Sequence, residues 1–173
     1  LGDAAGAGGP VRQGLGQDGK SWAMYLQRYA PFAPERVDDG PCPQIAGDNA
    51  LYDAATLRTH RASWADGFWE MEVHAALAAA GRGLTMDATL GVEHHNGYST
   101  AEFIVQRLRH GVRFGRGRAR ALSPGRRLAY AALAPGIPLL FGRKVVGRAG
   151  RSPEGLRQLA TAAPWLTLFL LAW

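Results

Sequence analysis

Apolar residues in this chain first recur at helical spacing. Trp22, Tyr25, Leu26 and Tyr29 fall at i, i+3, i+4 and i+7, which predicts a helix from Lys20 that ends by Ala30, because Pro31 and Pro34 follow. Residues 31–48 are rich in Pro, Gly and Asp and read as loop. Asp53 is placed to cap a short helix running to His60, and a second loop covers Trp64 to Gly67. Trp69, Val73, Ala76, Leu77 and Ala80 then share one face of a helix that starts at Asp66 or Gly67 and stops at Gly81. Leu84–Met86 and Thr89–His94 read as short strands, and Pro10–Arg12 offers another within a Gly-rich start. Ser99-Thr100-Ala101-Glu102 is a capping box that opens a helix of about four turns. On that helix Ile104, Leu108 and Val112 form an apolar stripe, and Arg109, Arg113, Arg116 and Arg120 a basic one.

Beyond the break at Ser123-Pro124-Gly125 the pattern changes. Residues 128–142 and 158–173 carry no charge, with Arg126 and Arg127 before the first run and Arg143, Lys144, Arg148 and Arg151 between the two. Both runs are shorter than the roughly 20 residues an unbroken span needs, and Pro135, Pro138 and Pro164 interrupt them. They predict half-embedded or re-entrant helices at a membrane surface, and arginines beside apolar runs favour the cytoplasmic side.

Composition sharpens this picture. With 173 residues, 47% of them hydrophobic, the chain can bury a core. Cys42 is its single cysteine, which excludes an intramolecular disulfide and a cysteine-based zinc finger. The net charge of +6 conceals an asymmetry: residues 1–103 hold 13 acidic against 7 basic residues, whereas residues 104–173 hold 13 basic residues and one acid, Glu154. A soluble part joined to a part that meets a polyanionic surface is the expectation. Single-strand nucleic-acid sites interleave aromatics with their cations, and here only Phe114 does so, which favours anionic lipid over nucleic acid. The start at Leu1-Gly2-Asp3 has no features of a targeting segment. The end at Trp173, inside the most apolar run, predicts that the sequence is a fragment of a longer chain.

Four groups of residues have chemical potential. Glu70 and Glu72 lie two apart on a helix, about 200° around its axis, so they cannot serve one site together. Glu70, with His74 one turn further on the same face, can project into a cleft as a general base; a first-turn glutamate is equally favoured by the helix dipole. His94-His95-Asn96 follows a strand, where only one imidazole can face a metal ion. Gly47-Asp48-Asn49 is a polar turn suited either to capping or to hydrogen-bonding a polyhydroxylated ligand. The arginine stripe fits a solvated face, a nucleic acid or a phospholipid surface.

The order of these segments resembles the second half of a family 2 glycosyltransferase of the GT-A fold. The resemblance is carried by Gly8-Gly9-Pro10-Val11, Trp22 to Tyr29 with Pro31, and Gly47-Asp48-Asn49-Ala50-Leu51-Tyr52. It continues with Gly67-Phe68-Trp69-Glu70 opening a helix through Leu77 and Gly81, and with a strand ending Val92-Glu93-His94. Phe103, Gln106-Arg107, His110-Gly111, Phe114-Gly115 and Arg118-Ala119 extend it over nearly the whole chain.

The resemblance implies an α/β fold: residues 1–122 as the acceptor-side part of a GT-A domain, and residues 123–173 as basic and apolar membrane-associated helices. It implies an enzyme that transfers a sugar, with inversion, from a nucleotide-diphosphate sugar to a lipid-linked or membrane-proximal acceptor. The family's first half binds donor and a divalent cation, Mg or Mn, through an Asp-any-Asp motif; that motif is absent here, so this chain alone is expected to be inactive. Glu70 takes the first place of the family's Glu-Asp pair and Met71 the second, leaving Glu70 as catalytic base and Glu72 in reserve. Gly47, Asp48 and Asn49 are placed near donor sugar or acceptor. Gln106, Arg107 and His110 are placed near the diphosphate or the membrane-side acceptor, with Arg109 as a second candidate cation, and His94 at a position where some glycosyltransferases put a metal ligand. The alternatives are a noncatalytic basic membrane-binding module and an Arg-rich nucleic-acid binder.

Overall fold

A computed structural model describes residues 4–14, 18–120, 122–149 and 153–172. Leu1–Asp3, Arg151 and Trp173, on which some of the expectations above fall, lie outside the described residues. The chain divides into two units, one made of residues 1–13 and 31–94 and the other of residues 14–30 and 95–173.

The first unit is α/β. Strands β1 (Gly6–Gly8), β3 (Gly40–Cys42), β4 (Ala50–Tyr52) and β5 (Leu84–Met86) form a sheet in the order β3-β5-β1-β4. β1 runs parallel to β5 and antiparallel to β4, with Gly6 opposite both Leu84 and Tyr52. β2 (Val11–Gln13) and β6 (Val92–His94) form a separate parallel pair. β1 is Gly-Ala-Gly for a steric reason: a Cβ on Gly6 would sit 2.8 Å from Tyr52 Cδ1 and 2.9 Å from the Leu51 carbonyl, and one on Gly8 would sit 2.7 Å from Ile45 Cβ. Helices α2 (Ala54–Thr59) and α3 (Glu70–Ala79) complete the unit. Asp53 caps α2 as expected, its carboxylate accepting from Thr56 N at 2.7 Å. α3 begins at Glu70, later than Asp66 or Gly67, because Trp69 is still extended; it stops before Gly81, which takes φ +70. Val73 and Leu77 of α3 pack with Ala5, Ile45, Leu84 and Met86 into one core. The second expected strand shortens to Val92–His94 because Asp87 turns the chain, its carboxylate accepting from Thr89 N at 2.8 Å.

The second unit is helical. α1 (Gly19–Tyr29) opens on Asp18, whose carboxylate accepts from Ser21 N at 2.7 Å, and buries Trp22 to Gln27 and Tyr29. α7 (Pro153–Leu171) packs against it, and Gln27 Nε2 donates to the Phe169 carbonyl at 3.1 Å. α4 (Thr100–Arg120) is longer than expected. Its capping box is complete: Ser99 N donates to Glu102 Oε2 at 2.8 Å and Glu102 N to Ser99 Oγ at 3.3 Å. The expected apolar stripe is corrected, since Leu108 and Val112 are each 51% exposed while Phe103 and Arg107 are the buried positions. Phe103 sets this rotation by seating its ring on Phe169, centroids 4.7 Å apart. A larger aromatic contact outweighs two aliphatic ones.

The uncharged run 128–142 folds as α5 (Pro124–Leu133), a tight turn Ala134–Gly136 and the start of α6 (Ile137–Ala149). The run 158–173 lies mostly in α7, where Ala162, Leu166, Phe169 and Leu170 are buried. Among the described residues no helix is long and apolar enough to cross a membrane.

Candidate active site

Two residues singled out separately in the sequence meet in the first unit. The chain leaves the core at Ile45 and Ala46, makes a tight turn over Gly47–Asn49 and enters β4. Gly47 comes so close to Glu70 that a Cβ there would collide with the Glu70 carboxylate and its Cγ. Gly47 is not among the glycines with positive φ, so space rather than backbone conformation demands a glycine. Glu70 is half-buried at the first position of α3, where the helix dipole favours its negative charge.

Behind Glu70 stands a neutral polar pair. Tyr52 Oη lies 2.7 Å from His74 Nε2. Burial first, and the Glu70 charge second, push the Tyr52 phenol up, while burial lowers the His74 imidazole. At neutral pH the phenol therefore keeps its proton and the imidazole stays uncharged, and neither neutralises the glutamate. Phe68 covers Tyr52, ring centroids 5.5 Å apart. A half-buried carboxylate at a helix start, with a close-packed glycine turn on one side and an uncharged Tyr–His pair nearby, has the make-up of a proton acceptor.

The other predicted residues of this unit take different places. Asn49 donates its amide to the Leu90 carbonyl at 2.7 Å and the Pro10 carbonyl at 3.3 Å, so its side chain ties the turn to the entrances of β2 and β6. Asn49→Ala removes both bonds and is expected to cost about 1–2 kcal/mol, read as a lower midpoint in thermal unfolding. Asp48 and Glu72 are exposed, and His94 is half-buried at the end of β6. Among the described residues no group of three or more His, Cys, Asp or Glu side chains is placed to hold a metal ion.

In the second unit α4 brings Gln106, Arg107 and His110 to one side, while Arg109 stands exposed. Arg107 is 4% exposed. Its Nη2 donates to Gln106 Oε1 at 3.0 Å, its guanidinium lies 5.0 Å from the Phe103 ring centroid, and its buried Nε has no hydrogen-bond partner among the described residues. Gln106 Nε2 in turn donates to Tyr98 Oη at 3.2 Å. Arg28 comes from α1 and lies over the rings of Tyr29 and Tyr98. Burial foremost, then Arg28, lowers the Arg107 guanidinium to about 10; burial, then Arg107, Arg28 and Arg113, lowers the His110 imidazole to about 4.

No family model, curated protein or solved structure matches this chain. The chemistry of the two clusters therefore carries the functional reading.

Sequence spacing put Glu70 and His74 one turn apart on α3, and both lie on that helix. It gave no sign of Tyr52 as the partner of His74, since a strand and a helix must fold together to join them. Arg28 was likewise not singled out, because the ring of Tyr98, which it lies over, is seventy residues further along the chain.

Proposed function

We propose that this chain is the acceptor-side half of a GT-A, family 2 inverting glycosyltransferase, transferring sugar from a nucleotide-diphosphate donor to a lipid-linked or membrane-proximal acceptor. The observation that carries this reading is the approach of the Gly47 turn to Glu70, which joins two of the motifs behind the resemblance. In the reaction Glu70 takes the proton of the acceptor hydroxyl as that oxygen forms its bond to the anomeric carbon. The bond from that carbon to the leaving phosphate oxygen breaks, and the electron pair departs with the nucleoside diphosphate. Within the second unit, Arg107, with Gln106 holding its guanidinium, is taken by itself as a group whose charge suits phosphate oxygens.

The Mg or Mn ion implied by the resemblance does not fit the residues of this chain. There is no Asp-any-Asp sequence, and no three metal-ligating side chains converge among the described residues. Its ligands would come from a donor-binding half, and no step described here runs through it. The decisive experiment is donor turnover by Glu70→Gln in a polypeptide carrying both halves; undiminished turnover with intact donor binding removes the reading.

Attachment to the cytoplasmic face of a membrane belongs to the same proposal. Leu128, Leu133, Leu139 and Leu140 are 64–78% exposed on α5 and α6, and Arg126, Arg127, Arg143 and Lys144 flank them. Apolar side chains beside cations suit insertion into an anionic lipid interface. The full chain is expected to float with phosphatidylglycerol vesicles at low salt, and Leu139→Glu with Leu140→Glu to shift it toward the unbound fraction. Recovery of the unaltered chain only in the unbound fraction would sink the attachment. A noncatalytic membrane-binding module would use the same surface, but it leaves the fit between Gly47 and Glu70 without a purpose.

A further inference from the structure

The side of α4 turned away from the core is not an ordinary solvent face. Val105, Leu108 and Val112 on it are 44–51% exposed, at positions where a solvated helix carries polar side chains. At about 100° per residue the three fall within about 60° of one another and roughly opposite Phe103 and Arg107, the buried residues of this helix. Beside them runs a row of cations. Arg109, Arg116 and Arg120 are exposed, and their spacing of seven and then four residues aligns them within about 40° along the helix. The one acid of α4, Glu102, is engaged in the cap of its first turn.

Three kinds of occupant bear on such a face. A second copy of the chain would bring one arginine row against another, and like charges oppose that contact. A nucleic acid would meet the arginines but not the stripe, whose side chains are aliphatic and offer no ring for a base to stack on. An anionic bilayer meets both: the aliphatic groups enter the acyl boundary, and the guanidiniums reach the phosphates on their long stems.

We propose that α4 is a further lipid-binding helix, lying along an anionic membrane surface with Val105, Leu108 and Val112 inserted and Arg109, Arg116 and Arg120 on the lipid phosphates. This rests on the membrane attachment given above, which used α5 and α6. It goes beyond that attachment by assigning a separate helix, the side chains that insert and the cations that hold them at the surface. Two contacts on one chain reinforce each other, so the loss of either lowers the bound fraction.

The test uses the full chain and phosphatidylglycerol vesicles, with phosphatidylcholine vesicles for comparison. A cation near an anionic surface contributes about fivefold to partitioning, so Arg109→Gln with Arg116→Gln should lower the partition coefficient roughly 25-fold and flatten its salt dependence. Insertion is read separately from charge. In a Cys42→Ser background, Val112→Cys carrying an environment-sensitive fluorophore should shift to the blue with phosphatidylglycerol vesicles and be quenched by lipid brominated on its acyl chains. The same label at Gly117→Cys, an exposed position about 140° around the helix from Val112, should do neither.

Vesicle binding without quenching at position 112, or with equal quenching at both positions, overturns the assignment of α4 and leaves attachment through α5 and α6 standing. Partitioning that the arginine changes leave unaltered, or that is equal for the two lipids, also overturns it. So does a shift at position 112 produced by a higher chain concentration or by an oligonucleotide and not by vesicles, which would point to a second copy or a nucleic acid. Recovery of the unaltered chain only in the unbound fraction removes the attachment itself, so the two readings fail separately.

Discussion

Glu70→Gln is expected to lower turnover by about 10²- to 10⁴-fold, the range a positioned general base contributes, with donor affinity unchanged. The amide has the shape of the carboxylate and can still hydrogen-bond the acceptor hydroxyl, but it cannot accept the proton. Folding should survive, because the loss is one favourable charge at the start of α3, about 0.3–1 kcal/mol, and the core beneath, built on Val73 and Leu77, is untouched. A fall in kcat and kcat/KM together marks an interaction used in the transition state rather than in binding. Gly47→Ala is the companion change: the methyl group displaces the Glu70 carboxylate without straining the backbone, so turnover should fall while thermal unfolding moves little. Glu72→Gln, at an exposed position on another side of α3, should leave turnover within about twofold, as surface changes away from a site do.

What the sequence disclosed follows from the range of each interaction. Caps were legible because they are local: Asp53, Ser99 and Glu102 satisfy donors three residues away. The helix from Lys20 was legible because bulky residues repeat along it. β1 was not, since Gly-Ala-Gly carries no alternation and becomes a strand only when Leu51, Tyr52 and Leu84 close around it. The face of α4 was misjudged for a related reason. Periodicity weighs Ile104, Leu108 and Val112 as one stripe, yet the helix turns to seat Phe103 on a ring that arrives from α7. That rotation is what buries Arg107. At the candidate site, Glu70 and Gly47 could each be singled out by residue type and position, while their contact and the Tyr52–His74 pair required the fold.

Phe103→Ala is expected to destabilise the protein by about 3–5 kcal/mol, the usual cost of removing a buried phenyl ring. Phe103 is fully buried and lies at a three-way contact: edge-on to Phe169, 6.1 Å from the Tyr98 ring centroid, and beneath the Arg107 guanidinium. Its loss leaves a cavity between α4 and α7 and takes away an electron-rich face that partly offsets the buried charge of Arg107. Phe103→Leu refills most of the volume without the ring, so it should recover more than half of the lost stability while the guanidinium remains without its aromatic partner. Denaturant unfolding of both variants measures the two losses, and a recovery by Phe103→Leu of less than half would show that volume alone does not account for what Phe103 provides.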